Sequence, residues 1–161
     1  MTRKIVKIVI TLMIILSVSS LLGYIYYADV TAMSGIEMTI NDVDLTEVKL
    51  SSFNLKLHTK IFNPTNQDIS GLSSAFNIYI EDNFVGKGGF SKVFIPANSQ
   101  IEKDISITIF YSGLADATID VIIEIIKEGN FDLNISGNIS GNVLFNLIEF
   151  SQEFEAKYIY S

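Results

Sequence analysis

Residues 8–28 read IVITLMIILSVSSLLGYIYYA, with no charged side chain, and three of the five residues just before them (Arg3, Lys4 and Lys7) are cations. A helix rises about 1.5 Å per residue, so about 20 apolar residues cover the ~30 Å hydrocarbon slab of a bilayer. The hydroxyls of Ser17, Ser19 and Ser20 can bond back to the helix carbonyls. Cations on one flank and Asp29 on the other predict, by the positive-inside rule, a cytoplasmic tip at 1–7, a transmembrane signal anchor at 8–28 and everything later outside the cell membrane. Tyr24, Tyr26 and Tyr27 then fall in the outer aromatic belt. A cleaved secretory signal shares the basic start, and Val30-Thr31-Ala32 loosely fits a cleavage site. Against cleavage, signal cores run only about 7–15 residues, and this run ends in bulky tyrosines. Residues 29–35 read as a linker, and 36–161 as one exported domain.

The charge balance narrows the partners of that domain. The chain carries 11 Lys+Arg against 18 Asp+Glu; without the three leading cations 8 face 18, a charge of −10. Such a surface repels nucleic acid and anionic headgroups. With no cysteine there is no disulfide framework, thiolate metal site or cysteine nucleophile. Stability must come from a core, which 48% apolar residues can supply.

From Ile36 onward the dominant period is two, the strand period. Ile36, Met38 and Ile40 alternate with polar residues, and Phe53, Leu55, Leu57, Thr59 and Ile61 are expected inward, opposite Asn54, Lys56, His58 and Lys60. The cluster Asn63-Pro64-Thr65-Asn66-Gln67-Asp68 ends that strand, because proline fixes φ and pushes its predecessor out of the helical region. Phe76, Ile78 and Ile80 resume, Asp82-Asn83 offers a hairpin turn, and Gly86, Gly88 and Gly89 mark a bulge or a close backbone approach. After Ile95-Pro96-Ala97-Asn98-Ser99 the alternation returns at Ile105, Ile107 and Ile109, and later over 131–136, 143–150 and 154–160. Between them, Asp116, Asp120, Glu124 and Glu128 recur every fourth residue among Leu114, Ala117, Val121, Ile122, Ile125 and Ile126, predicting one amphipathic helix over 114–128. Ser112 is its expected N-cap and Gly129-Asn130 its stop. About seven short strands with one helix predict an all-β, antiparallel two-sheet sandwich, the helix covering an open end or face.

Chemistry is sparse. His58 is the only histidine, which excludes a histidine metal cluster and leaves it as a solvated strand-face residue. Asp42, Asp44 and Glu47 lack the third acid and the glycine of a calcium loop and read as a polar turn. Gly86-Lys87-Gly88-Gly89 lacks phosphate-loop spacing. The acidic stripe is an ordinary solvent-facing helix side. No catalytic, cofactor-binding or metal residue is expected, and no cofactor. Asn134-Ile135-Ser136 and Asn138-Ile139-Ser140 fit the glycan-acceptor pattern; Pro64 disqualifies Asn63.

The order of these turns carries a resemblance. A long strand closing on Asn63-Pro64-Thr65-Asn66, a Val85-Gly86-Lys87-Gly88 segment, Pro96-Ala97 before the next strand, the helix, and Leu133-Asn134-Ile135-Ser136-Gly137 before a closing pair of strands resemble, over about residues 36–157, the late embryogenesis abundant (LEA) type 2 family. This is also known as the water-stress and hypersensitive-response (WHy) domain, here as a membrane-anchored member. Thr65 departs from the family, which often has asparagine there. The resemblance implies a fibronectin- or immunoglobulin-like β-sandwich tied to desiccation and other stress, with Asn63, Pro64, Asn66, Gly86, Gly88, Pro96, Ala97 and Gly137 as structural turn residues. The function expected is non-enzymatic binding or shielding at the cell envelope. The alternative is a structural adaptor linking the membrane to a surface layer or an archaellum-type stator. Expected partners are the membrane and envelope or surface-layer proteins, with no nucleic acid and no small-molecule substrate.

Overall fold

The computed structural model describes residues 2–145 and 147–160; the side chains of residues 2, 117 and 126–128, which include Ala117, Ile126 and Glu128 of the expected helix, lie outside the described set. The first element, α1 (Thr2–Ser34), is one continuous helix of 33 residues. It is long and apolar enough to cross a membrane, and its most apolar stretch packs against nothing. It continues through residues 29–34, where the sequence predicts a linker, because Ala32 and Met33 have somewhere to go: both are buried in the core of the following domain.

Seven strands follow among the described residues: β1 (Glu37–Thr46), β2 (Ser52–Asn63), β3 (Ile69–Ile80), β4 (Asn83–Ile95), β5 (Ser99–Phe110), β6 (Phe131–Val143) and β7 (Ile148–Tyr160). They form two antiparallel sheets, ordered β1-β2-β5 and β4-β3-β6-β7. This is the expected sandwich. Phe53, Leu55, Leu57 and Ile61 of β2 face Leu72, Ile78, Leu133, Ile135 and Ile139 of the other sheet in a dry interior. Burying a side chain of that size contributes about 1.5–3 kcal/mol, which is how the domain dispenses with disulfides.

The turns follow local chemistry with two departures. The β3–β4 loop is Glu81-Asp82, both with positive φ, a two-residue hairpin of the type that matches strand twist, one residue earlier than the sequence predicts. The expected strand over 143–150 is broken: β6 ends at Val143 and a turn intervenes before Ile148. Leu144 and Phe145 take positive φ there (51° and 58°), and bulky apolar residues carry no turn signature, so periodicity runs through them unbroken.

The helix α2 (Asp116–Glu128) buries Thr118, Ile122 and Ile125, exposes Asp116, Asp120 and Glu124 as expected, and ends on Gly129 in the left-handed region. Ser112 is not its cap. Residues Tyr111–Gly113 form a separate 3-10 turn, and Ala115 occupies the N-cap position without a side-chain hydrogen bond. Tyr111 decides this: its ring stacks on Phe53 at 5.9 Å and its N–H bonds Ser51, so the chain turns over before the helix begins. The helix lies by the β3–β4 hairpin, at the end of the sandwich away from α1.

Candidate functional site

Three polar constellations stand out, one at the pole that meets α1 and one on each outer sheet face. At the pole, two turn motifs far apart in sequence come together on one buried asparagine. Asn63, fully buried at the last inward position of β2, donates through Nδ2 to the carbonyls of Gln67 (2.7 Å) and Pro96 (3.1 Å), and its Oδ1 accepts from the N–H (3.1 Å) and hydroxyl (2.7 Å) of Thr65. Asp68 Oδ1 accepts from the N–H of Ala97, and Thr65 O from that of Asn98. Asn63 thus locks the β2–β3 and β4–β5 turns together. Thr65, the departure from the family pattern, serves that lock. Pro64 and Asn66 are exposed. On the same pole Gly35 packs against Thr65, and Asp29 Oδ2 accepts from the N–H of Leu144 at 2.8 Å. A groove of about 240 Å³ opens between α1 and the sandwich, with Ile25, Asp29, Met33, Asp68, Asn142 and Phe145 among its walls.

Two glycines of the resemblance, Gly88 and Gly137, act by close approach, whereas a Cβ on Gly86 would make only an ordinary contact with Ile109. A Cβ on Gly137 would collide with the Ala75 carbonyl and Phe76, and one on Gly88 would come within 2.6 Å of the Phe76 ring. Gly89 lies equally tightly on Ser74. The ladder slips between Ile78 and Tyr79, beside Gly86, as a bulge requires. No phosphate cradle forms from these residues, since they run within β4 and not into a helix N-terminus.

On the outer face of the three-stranded sheet, His58 is not freely solvated. Its Nδ1 lies 2.7 Å from Asp104 Oδ1 and its Nε2 3.0 Å from Asp44 Oδ2, while Lys56 Nζ bonds Asp104 Oδ2 at 2.7 Å. Carboxylates only accept, so the geometry favours the imidazolium, in which both ring nitrogens donate, over the neutral ring. The cluster ties β1, β2 and β5 together with no net charge. In the imidazolium form the ring offers no lone pair to a metal. Asp42 meanwhile accepts from Tyr158 Oη (3.1 Å) and Glu47 from Lys49 and Asn54, so the acids expected as one polar turn are separately engaged, two of them within β1. Among the described residues no cluster of three or more His, Cys, Asp or Glu is arranged to hold a metal.

These contacts shift protonation in one sense. The hydrogen bond to Asp44, aided by Asp104, raises His58 above its ordinary 6.5; Lys56 and then His58 hold Asp104 below 3.8. Below about pH 6.5 the histidine is charged folded or unfolded, so its pairing stabilises fully, and the contribution is lost as pH rises through the raised folded value. Asp104 contributes above 3.8 and loses its contribution as pH falls through its lowered value. The lone histidine makes this directly readable: its ring protons titrate by NMR with a midpoint above 6.5, and Asp44→Asn and Asp104→Asn each lower it. A midpoint at or below 6.5 in the parent protein would show that the pairing does not persist in solution.

The outer face of the four-stranded sheet is a strip of amides, hydroxyls and acids. Asn134, Ser136 and Asn138 of β6 run between Asn77 of β3 and Glu153 and Glu155 of β7, around a shallow depression of about 550 Å³. Both acceptor asparagines sit mid-strand here, paired on both sides; Asn138 is exposed, whereas Asn134 donates to Glu155 at 2.9 Å. Lys157, then Asn134, keep Glu155 below the usual carboxylate range. The residues that sequence reasoning missed are Asp104, Asp29 and Phe145. The one signal near Phe145 was Asn146, a turn former inside the run read as a strand.

No family model and no curated protein matches the sequence. Solved structures do. A solution structure of an Arabidopsis thaliana protein superposes with a TM-score of 0.60 at 19% identity, covering 78% of this chain and 80% of that one. A crystal structure of an Archaeoglobus fulgidus protein covers 78% and 94% at 12% identity with a TM-score of 0.45. A solution structure of a candidate LEA protein covers 88% and 83% at 14% identity with a TM-score of 0.43. The first of these shows that the domain shares the β-sandwich fold of that Arabidopsis protein.

Proposed function

We propose that this LEA-like sandwich is a single-pass membrane protein, N-terminus inside, whose domain acts outside the membrane as a non-enzymatic, stress-associated shield of envelope components. The observation that carries the reading is the uninterrupted α1: its last turns bury Ala32 and Met33 in the sandwich, so the domain is held against the membrane face and not swung on a free tether. The WHy-type resemblance of the turn motifs supports the link to water stress. Engagement of both nitrogens of the lone histidine supports action without turnover. The amide and carboxylate strip on β3, β6 and β7 supplies hydrogen-bonding groups that hold water, or replace it at neighbouring macromolecules, as solvent is withdrawn. Envelope and surface-layer proteins are the neighbours such a domain would meet.

Two measurements test this. A C-terminal tag on the full chain is removed by protease added to intact cells while the protein migrates at precursor length; protection, or a product shorter by about 30 residues, would refute the anchor. Vesicles carrying the full chain leak less trapped dye after drying and rehydration than vesicles carrying residues 1–35 alone. Equal leakage would end the shielding reading.

A further inference from the structure

The turn between β6 and β7 is unusual for a surface loop. Turns in water favour Gly, Asn, Asp and Ser, yet this one presents Phe145, Leu147 and Ile148 at 68%, 76% and 41% exposure. It also holds Leu144 and Phe145 at positive φ, which costs a residue with a Cβ about 1 kcal/mol or more and persists where the surroundings impose it. What imposes it is α1: the Leu144 N–H is bound by Asp29, the first residue after the apolar run. Phe145 lines the same groove as Ile25, which lies four residues, about 6 Å, back along the helix and inside that run. The turn therefore stands level with the outer end of the apolar run, at the height along α1 where Tyr24, Tyr26 and Tyr27 lie. The charged residues of the groove are Asp29 and Asp68, both anionic, so it does not recruit phosphate headgroups.

We infer that the β6–β7 turn is a second membrane contact, with Phe145, Leu147 and Ile148 entering the boundary between acyl chains and headgroups alongside α1. The inference rests on the membrane-anchored reading. Two attachment points, one through the helix and one through the turn, fix the tilt of the sandwich, which a single helix would leave free.

The chain has no cysteine, so one introduced thiol labels uniquely. Full-length Leu147→Cys, Leu16→Cys and Leu50→Cys, each labelled with a small fluorophore, are placed in phosphatidylcholine vesicles with or without brominated acyl chains. Position 16 reports the span, and position 50, fully exposed on the β1–β2 turn at the far pole, reports water. Brominated lipid is expected to quench the probes at 147 and 16 about twofold or more over that at 50, with aqueous iodide showing the reverse order. Quenching at 16 but not at 147 would overturn the second contact and leave the anchor standing. Absence of quenching at both would remove the anchor and the contact together. Phe145→Cys repeats the reading from the other side of the turn.

Discussion

Replacing Asn63 by leucine is expected to lower the unfolding free energy by about 3–5 kcal/mol, with a thermal midpoint about 10–20 °C lower, although the two side chains are similar in size. The side chain is 0% exposed and makes four close hydrogen bonds, two as donor and two as acceptor. Leucine would leave the carbonyls of Gln67 and Pro96 and both donors of Thr65 facing a side chain that cannot bond to them. Each buried polar group left without a partner costs about 1–3 kcal/mol, and relaxation of the two turns recovers part of the sum. Asn63→Asp separates the halves of the effect: it keeps the acceptor for Thr65 but turns a second oxygen on two carbonyls, so it should be about as damaging near neutral pH and milder in acid. Circular dichroism melts of the full chain in detergent measure both. Loss under 1 kcal/mol for either variant near neutral pH would mean that the turns are held otherwise.

Gly137→Ala is expected to cost about 3 kcal/mol or more, an exceptional penalty for one methyl group. The new Cβ would run into the Ala75 carbonyl and Phe76, both on the neighbouring strand, and backbone cannot step aside as a flexible side chain can. Gly137 lies between Phe76 and Phe154 in register, and these rings meet edge-on at 6.0 Å across it, filling the space that it leaves. Pushing β3 from β6 breaks the ladder at the centre of the four-stranded sheet. Gly71→Ala is the comparison: its φ is +70° but nothing lies within 4 Å, so only local backbone strain of about 1 kcal/mol applies. Equal losses at the two positions in urea unfolding would show that close approach is not what demands Gly137.

Much of the architecture is legible in the residues because strand periodicity, turn chemistry and span length are local. The alternation in β2 marked its inward residues, including Thr59, which is buried and donates to the Lys103 carbonyl at 2.7 Å. Gly129 ended α2 where a residue without a Cβ best takes a left-handed turn. The misreadings share a cause. Ser112 has the chemistry of a cap, but the ring of Tyr111 was already committed to Phe53 on another strand. The break after Val143 was hidden among bulky apolar residues, with Asn146 its lone turn former, and the contact with Asp29, over a hundred positions earlier, holds it. His58 read as solvated because its carboxylate partners lie 14 and 46 residues away.

By itself the sequence determined the long apolar N-terminal run, the two-residue period of the domain, its acidic charge balance and the lack of cysteine and of a second histidine. All of these depend on composition or on neighbours within a few residues. Only the tertiary structure decided that α1 runs without a hinge into the core, that Asn63 joins two turns, that His58 sits between two carboxylates, and that Phe145 shares a groove with Ile25 of α1. Each of those is a contact between segments far apart in the chain, and such contacts depend on distances that no local pattern records.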